Sequence, residues 1–198
     1  VFRHIFTRFG LPLFSDRRRP LLESPMIRTL LSLLKLYQKG FRREEVLSFL
    51  KGYVTQQQWE DLDRFENYCF TRGIGGKAFK SPFEDAEMEE LRQDFLGVLL
   101  EYEDILKKKE EPTEFERILR ELLIQLDFPQ RLEEEAKVYE ERGEEEEAQL
   151  LHQLWEAMVE LLTQLSKTGP KEKLSFAAYS KLLETGLKRM SLGIIPPS

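Results

Sequence analysis

Residues 113–126 read Thr-Glu-Phe-Glu-Arg-Ile-Leu-Arg-Glu-Leu-Leu-Ile-Gln-Leu. Within them Ile118, Leu119, Leu122, Leu123 and Leu126 recur at spacings of three and four, which places them on one face of a helix. Thr113 and Glu116 have capping-box spacing, in which each side chain satisfies the other's backbone amide, so a helix start is expected there. The same period continues upstream in Leu91, Phe95, Val98, Tyr102 and Ile105, and downstream in Leu151, Trp155, Met158, Leu161 and Leu165. The second of these runs follows Glu144–Glu147, an acidic stretch suited to a helix N-terminus, where exposed amides favour negative charge. No stretch sustains a period of two. The expected fold is therefore all-α: a multi-helix bundle with at most one short strand near residues 11–14. There Pro12 and its neighbours favour an extended chain.

Turn and cap signals divide the rest. Residues 1–9 read as the last turns of a helix stopped by Gly10, and Asp16 to Pro20 as a polar turn. Ser24-Pro25 is a strong start, a capping side chain followed by proline at the first helical position, and Gly40 is the matching stop. Helices are expected over Phe41 to Val54, then from Thr55 (with Trp59, Leu62, Phe65 and Cys69 on its apolar face) to Gly73. Another is expected from Asp127 to Arg142, broken by Gly143, and a last one from Ser175 to Met190.

Charge is uneven along the chain. Residues 1–80 hold 15 Lys/Arg against 8 Asp/Glu, whereas residues 81–198 hold 15 against 28. A basic first part has two readings, an anionic partner or simply a differently solvated face. The single cysteine, Cys69, can form neither an intrachain disulfide nor a cysteine metal cluster and reads as a reduced, partly buried thiol. No apolar run reaches the roughly 18–20 residues that span a bilayer, so no membrane contact and a cytoplasmic location are expected. The chain starts without methionine and ends on Ile194-Ile195-Pro196-Pro197-Ser198, so it reads as a piece of a larger protein.

Catalytic motifs are missing. His4 and His152 are far apart, on separate expected helices, and there is no H-E-x-x-H, C-x-x-C or Gly-x-Ser-x-Gly pattern. Gly76-Lys77 resembles the end of a P-loop, but Thr71 stands where the first glycine belongs and Ala78 where a magnesium-binding hydroxyl belongs. The carboxylates are scattered at helical surface spacing, with no sign of convergence. What remains is Thr71-Arg72-Gly73-Ile74-Gly75-Gly76-Lys77. Its glycines permit close backbone approach and its amides could hold a phosphate, with Arg72 and Lys77 adding charge. The competing reading is a glycine hinge between two helical blocks. Arg17-Arg18-Arg19 is a second basic cluster, and it too reads equally as a solvated turn.

Several anchors resemble one family. Gly10-Leu11-Pro12-Leu13-Phe14, Asp16, Arg18-Arg19-Pro20 and Ser24-Pro25 are similar in order and spacing to a stretch of the AddB/RexB-type subunit of the bacterial AddAB ATP-dependent helicase–nuclease. The resemblance continues from Phe41-Arg42 to Leu50-Lys51 and through Leu62-Asp63-Arg64-Phe65-Glu66-Asn67-Tyr68, where Phe65 replaces the family's usual leucine. It ends at Gly186 and Gly193-Ile194-Ile195-Pro196-Pro197; between about 80 and 173 only the helical pattern agrees.

The resemblance implies an internal, non-catalytic helical subdomain comparable to domain 2B of UvrD-type helicases. Residues 1–23 would be the edge of a motor-like domain, 24–80 a basic helical block and 81–198 an acidic long-helix block, with 24–198 as one 2B-like unit. The parent would be an exodeoxyribonuclease subunit acting with an AddA-like subunit in recombinational repair of double-strand ends. Its iron–sulfur cluster, magnesium and ATP have no counterpart in this segment, and Cys69 is not a cluster ligand. Arg72-Gly73-Ile74-Gly75 also matches an RGIG segment that lies near duplex DNA in UvrD-like helicases. The DNA-binding residues expected are thus Arg17, Arg18, Arg19, Arg72 and Lys77, with Gly73 and Gly75 offering amides. A helical protein-interaction scaffold without nucleic-acid binding is the alternative.

Overall fold

In the computed structural model residues 18–20, 24–169, 171–189 and 191–193 are described, with backbone alone for 18–20, 189 and 191–193. Ser24-Pro25 opens α1 (Pro25–Lys39) as expected, with proline in the first turn, although the Ser24 hydroxyl makes no cap bond. Gly40 ends the helix in the left-handed region at φ 70°, and Phe41 follows there at φ 59° with its ring fully buried. This double left-handed turn folds α2 (Arg43–Tyr53) back on α1 and delays its start past Phe41.

Thr55 and Gln58 form a capping box over the 3-10 turn Gln56–Gln58, which leads into α3 (Trp59–Thr71). A second 3-10 turn, Gly76–Lys80, precedes α4 (Ala86–Leu106), whose N-cap Asp85 accepts the Met88 amide at 3.0 Å. In α5 (Pro112–Gln125) the expected Thr113–Glu116 box does not form. Pro112 takes the first turn and Glu111 becomes the N-cap, which puts Thr113 inside the helix. A proline with preset φ and no N–H to satisfy outweighs a side-chain cap at this position. The hairpin of α6 (Phe128–Glu141) and α7 (Glu145–Thr168) turns at Gly143, φ 71°, and α8 (Phe176–Arg189) completes the helices.

The all-α reading holds. The strand expected near 11–14 lies outside the described residues, as does the helix end expected at 1–10. Where a polar turn was expected, Arg18–Pro20 is instead a three-residue strand, β1, antiparallel to β2 (Ser191–Gly193), with Arg18 opposite Gly193.

The apolar faces meet in one core running from Ile27 to Leu187 among the described residues. Ile118, Leu119, Leu122 and Leu123 are buried as their spacing predicts, each such side chain contributing roughly 1.5–3 kcal/mol. Of the residues on the expected apolar faces, Trp59 is 57% exposed and Ile105 40%, while Val98, Trp155 and Leu165 pack half-buried against the core. The first and last parts of the chain join at Tyr37. Its hydroxyl donates to the Leu99 carbonyl at 2.8 Å and its ring meets Phe176 edge-on at 5.9 Å, so α1, α4 and α8 converge there. Among the described residues no helix is long and apolar enough to cross a membrane.

Candidate nucleic-acid interface

The glycine cluster begins as a helix stop. The Ile74 amide donates to the Cys69 carbonyl at 2.9 Å and the Gly73 amide to Phe70 at 3.2 Å, with Gly73 at φ 66°. That pair of bonds is the Schellman ending, which uses a left-handed residue to satisfy orphan carbonyls. The Gly73 amide is thereby committed to the end of α3. Gly75 is fully extended at φ −179°, and Gly76 is left-handed at φ 58°. The Gly76 amide donates to the Phe41 carbonyl at 2.8 Å, and the Ala78 amide to Gly75 at 3.2 Å.

The Gly76–Phe41 bond brings two basic stretches together. Arg42 follows Phe41 and Lys77 follows Gly76, and both are exposed. Neither has a carboxylate within 4.0 Å among the described residues, and the same is true of Lys39. Among the described residues the one carboxylate near Arg72 is Glu84, at 4.0 Å and 91% exposed, so screening leaves that pair nearly worthless; the guanidinium lies 5.9 Å from the Tyr68 ring. Lys80, in the same 3-10 turn as Lys77, bonds the buried Glu103 at 2.6 Å, and Lys107 bonds its other oxygen at 2.5 Å. Burial pushes the Glu103 carboxyl up, but the two ammonium groups outweigh it and hold it below its ordinary value. The triad therefore carries a net positive charge. Lys39, Gly40, Glu103 and Lys107 all border one open pocket of about 350 Å³. A basic strip is thus formed at the loop where Arg42 and Lys77 flank the Gly76–Phe41 bond, with Lys80 in the same 3-10 turn as Lys77.

Arg43 locks this strip to α3. Its guanidinium donates to the Cys69 carbonyl at 3.3 Å and lies 4.5 Å from the centroid of the Phe70 ring. The residue sits against the loop, with its Cβ 3.5 Å from where a Gly75 side chain would begin. Phe70 itself is 56% exposed.

Of the residues singled out in the sequence, Arg72, Gly73, Gly75 and Lys77 are together on this loop. Arg18 and Arg19 are on β1, opposite Gly193 and Leu192 of β2, which packs on α7. Arg17 lies outside the described residues. Sequence reasoning missed Lys39, Arg42, Arg43, Lys80, Lys107 and Phe70. The doublet Arg42-Arg43 after Gly40 was visible, but its closeness to residues 72–77 depends on one long-range bond that no periodicity reports.

Other reactive groups are absorbed in packing. Cys69 is fully buried and its thiol is pushed up to about 12 by burial. His152 on α7 spends both ring nitrogens on α6 carboxylates, Glu140 and Glu133, each at 3.1 Å. No group of three His, Cys, Asp or Glu able to hold a metal occurs among the described residues.

Comparison with known proteins gives this surface a context. The whole chain is homologous to AddB, a subunit of the ATP-dependent helicase/deoxyribonuclease. The AddB protein from Desulfitobacterium hafniense is 28% identical over 216 aligned positions, covering 100% of this chain and 18% of the relative. That from Clostridium botulinum is 27% identical, covering 100% of this chain and 19% of the relative. The Bacillus licheniformis protein is 28% identical, covering 99% and 19%. No family model matches the chain. The chain therefore spans less than a fifth of the length of these AddB relatives, and over that span its described part is a helical bundle.

Proposed function

We propose that this chain is a non-catalytic, 2B-like helical subdomain of an AddB-type subunit that holds duplex DNA by its phosphates while double-strand ends are processed for recombinational repair. The observation that carries the reading is the hydrogen bond from Gly76 to Phe41, which joins the basic stretches around Arg42 and Lys77 in a chain whose net charge is −6. Such contact is electrostatic and independent of sequence. Arg17, Arg18 and Arg19 form the second cluster of this reading. Gly73 serves it as a helix stop that aims Arg72, and Gly75 as the extended link that lets Lys77 follow.

Nuclease, nucleotide and cluster chemistry belongs to other parts of the parent protein. One buried cysteine does not fit an iron–sulfur cluster, which takes four thiolates. Thr71 and Ala78 do not fit a magnesium–ATP loop. An AddA-like subunit and the remainder of the AddB-type chain are the protein partners of this reading. The exposed Trp59 favours a contact of that kind on α3, away from the strip.

The test is fluorescence anisotropy of a labelled duplex across a salt series, with Arg42→Ala/Lys77→Ala beside the parent chain. Loss of two phosphate contacts lowers the slope of log affinity against log salt by about 2. An unchanged slope moves the site to Arg17–Arg19, and no binding at low salt leaves the scaffold reading.

A further inference from the structure

We propose that Phe70, backed by Arg43, is a stacking platform for an unpaired nucleobase at the edge of the basic strip. The inference rests on the DNA reading above and extends it from the backbone to the bases.

Phe70 is not needed by the core. The buried residues of α3 are Leu62, Phe65 and Cys69, while Phe70 points outward with more than half its surface exposed. Its neighbours are not the apolar rim of a protein-docking patch. The other exposed aromatic of α3, Trp59, is eleven residues away, roughly 16 Å along the helix axis. The charged group against the ring is Arg43, which adjoins Arg42 in the chain and touches Gly75, two residues before Lys77; Arg72 turns to the Tyr68 ring, 5.9 Å away.

The ring is also held in place. Arg43 is anchored below by the Cys69 carbonyl and lies beside Gly75, and its guanidinium covers one face of the ring. The residue as a whole stays 56% exposed. An exposed aromatic ring backed by an arginine, next to a basic loop, is the kind of arrangement that binds single-stranded nucleic acid, since any base can stack while cations track the backbone. The guanidinium adds a cation–π contribution behind the ring. The ligand class is DNA carrying unpaired bases next to duplex, as at a tailed or forked end.

The experiment compares the 198-residue chain against three labelled DNAs of one duplex sequence: a blunt hairpin, the same hairpin with a 3′ single-stranded tail, and one with a 5′ tail. A tailed form is expected to bind more tightly than the blunt one. Phe70→Ala and Phe70→Leu should each lose about tenfold on tailed DNA while blunt binding stays unchanged, and Phe70→Trp should retain the preference. A 5-iodouracil placed in the tail should photo-crosslink to Phe70. The leucine variant keeps apolar bulk without a π-face, so wild-type affinity in Phe70→Leu overturns the proposal. Salt-sensitive binding with no preference for tails overturns the platform alone, whereas no binding to any of the three overturns the basic-strip reading and this one with it. If Phe70→Ala leaves tail binding intact but weakens association with the rest of the parent subunit, the ring is a protein contact and the proposal falls.

Discussion

The amide of Gly76 donates to the carbonyl of Phe41 across 35 positions of sequence, and both residues are left-handed, at φ 58° and 59°. Phe41 accepts a conformation unusual for a bulky residue because its ring is fully buried, edge-on to Tyr37 at 5.7 Å. The core thus fixes the turn between α1 and α2, and the turn fixes the glycine loop. The basic strip is a consequence of packing rather than of local sequence.

The glycines of the loop should respond differently to one added methyl group. Gly73 and Gly76 are left-handed with nothing near a new Cβ, so alanine there costs backbone strain, about 1–2 kcal/mol. Gly75 is extended and its new Cβ would make only an ordinary 3.5 Å contact with Arg43. Gly75→Ala should therefore change stability by less than about 0.5 kcal/mol. Urea denaturation of the three variants checks the order.

Glu89 and Arg92 should set the acid limit of stability near the start of α4. The Glu89 carboxylate accepts Arg92 Nε and Nη2 at 2.6 Å each and the Phe83 amide at 2.8 Å, while Arg92 Nη1 donates to the Phe79 carbonyl at 3.0 Å. The hydrogen bonds from Arg92, with help from the Phe83 amide, hold Glu89 down at about 2. A folded-state value below the ordinary 4.5 means that this stabilisation is complete above about pH 4.5 and is lost as pH falls towards 2. Glu89→Gln should cost about 2–3 kcal/mol at neutral pH, because Arg92 stays buried without its charge partner. It should also flatten the loss of stability between those two pH values, read from thermal melts.

Cys69 should report global unfolding. With its thiol buried and pushed up to about 12, it presents almost no thiolate at pH 8. Ellman's reagent should therefore react with native protein at the rate of unfolding, and at full speed in denaturant. Fast native labelling would mean that the end of α3, and Phe70 with it, opens locally.

The helices were legible in the sequence because their signals are local. Spacings of three and four found the buried faces of α4, α5 and α7, and Ser24-Pro25, Gly40, Thr55 and Gly143 marked their ends. Thr113 misled because a neighbouring proline competes for the same helix start. Trp59 and Ile105 misled because a helical period fixes a face but not the width of the stripe that its neighbours cover. The candidate site was half legible. Arg72 and Lys77 were found through their glycine context, whereas Arg42 and Arg43 join them only through the Phe41–Gly76 bond, and the exposure of Phe70 beside Arg43 follows from that packing. The triad at Glu103 depends likewise on α4 ending beside Lys80.

His152 should make the α6–α7 hairpin weakly pH-dependent. Its hydrogen bond to Glu140 raises the imidazole above its ordinary value, burial opposes this, and Glu133 adds to the rise. The facing groups are those two carboxylates from α6, with Glu145, Glu146 and Gln149 of its own helix bordering the same pocket. Protonated imidazole can donate to both carboxylates at once, and neutral imidazole to only one. A folded-state value above the unfolded one means that the contribution is complete below about pH 6.5 and fades as pH rises through the folded value. Because His152 is 38% exposed, the effect should stay below about 1 kcal/mol. Thermal melts from pH 5.5 to 8.5 should fall slightly for the parent chain and remain level for His152→Gln. A parent chain as flat as the variant would leave these contacts without energetic weight, and α6 and α7 would then be held by their apolar faces alone.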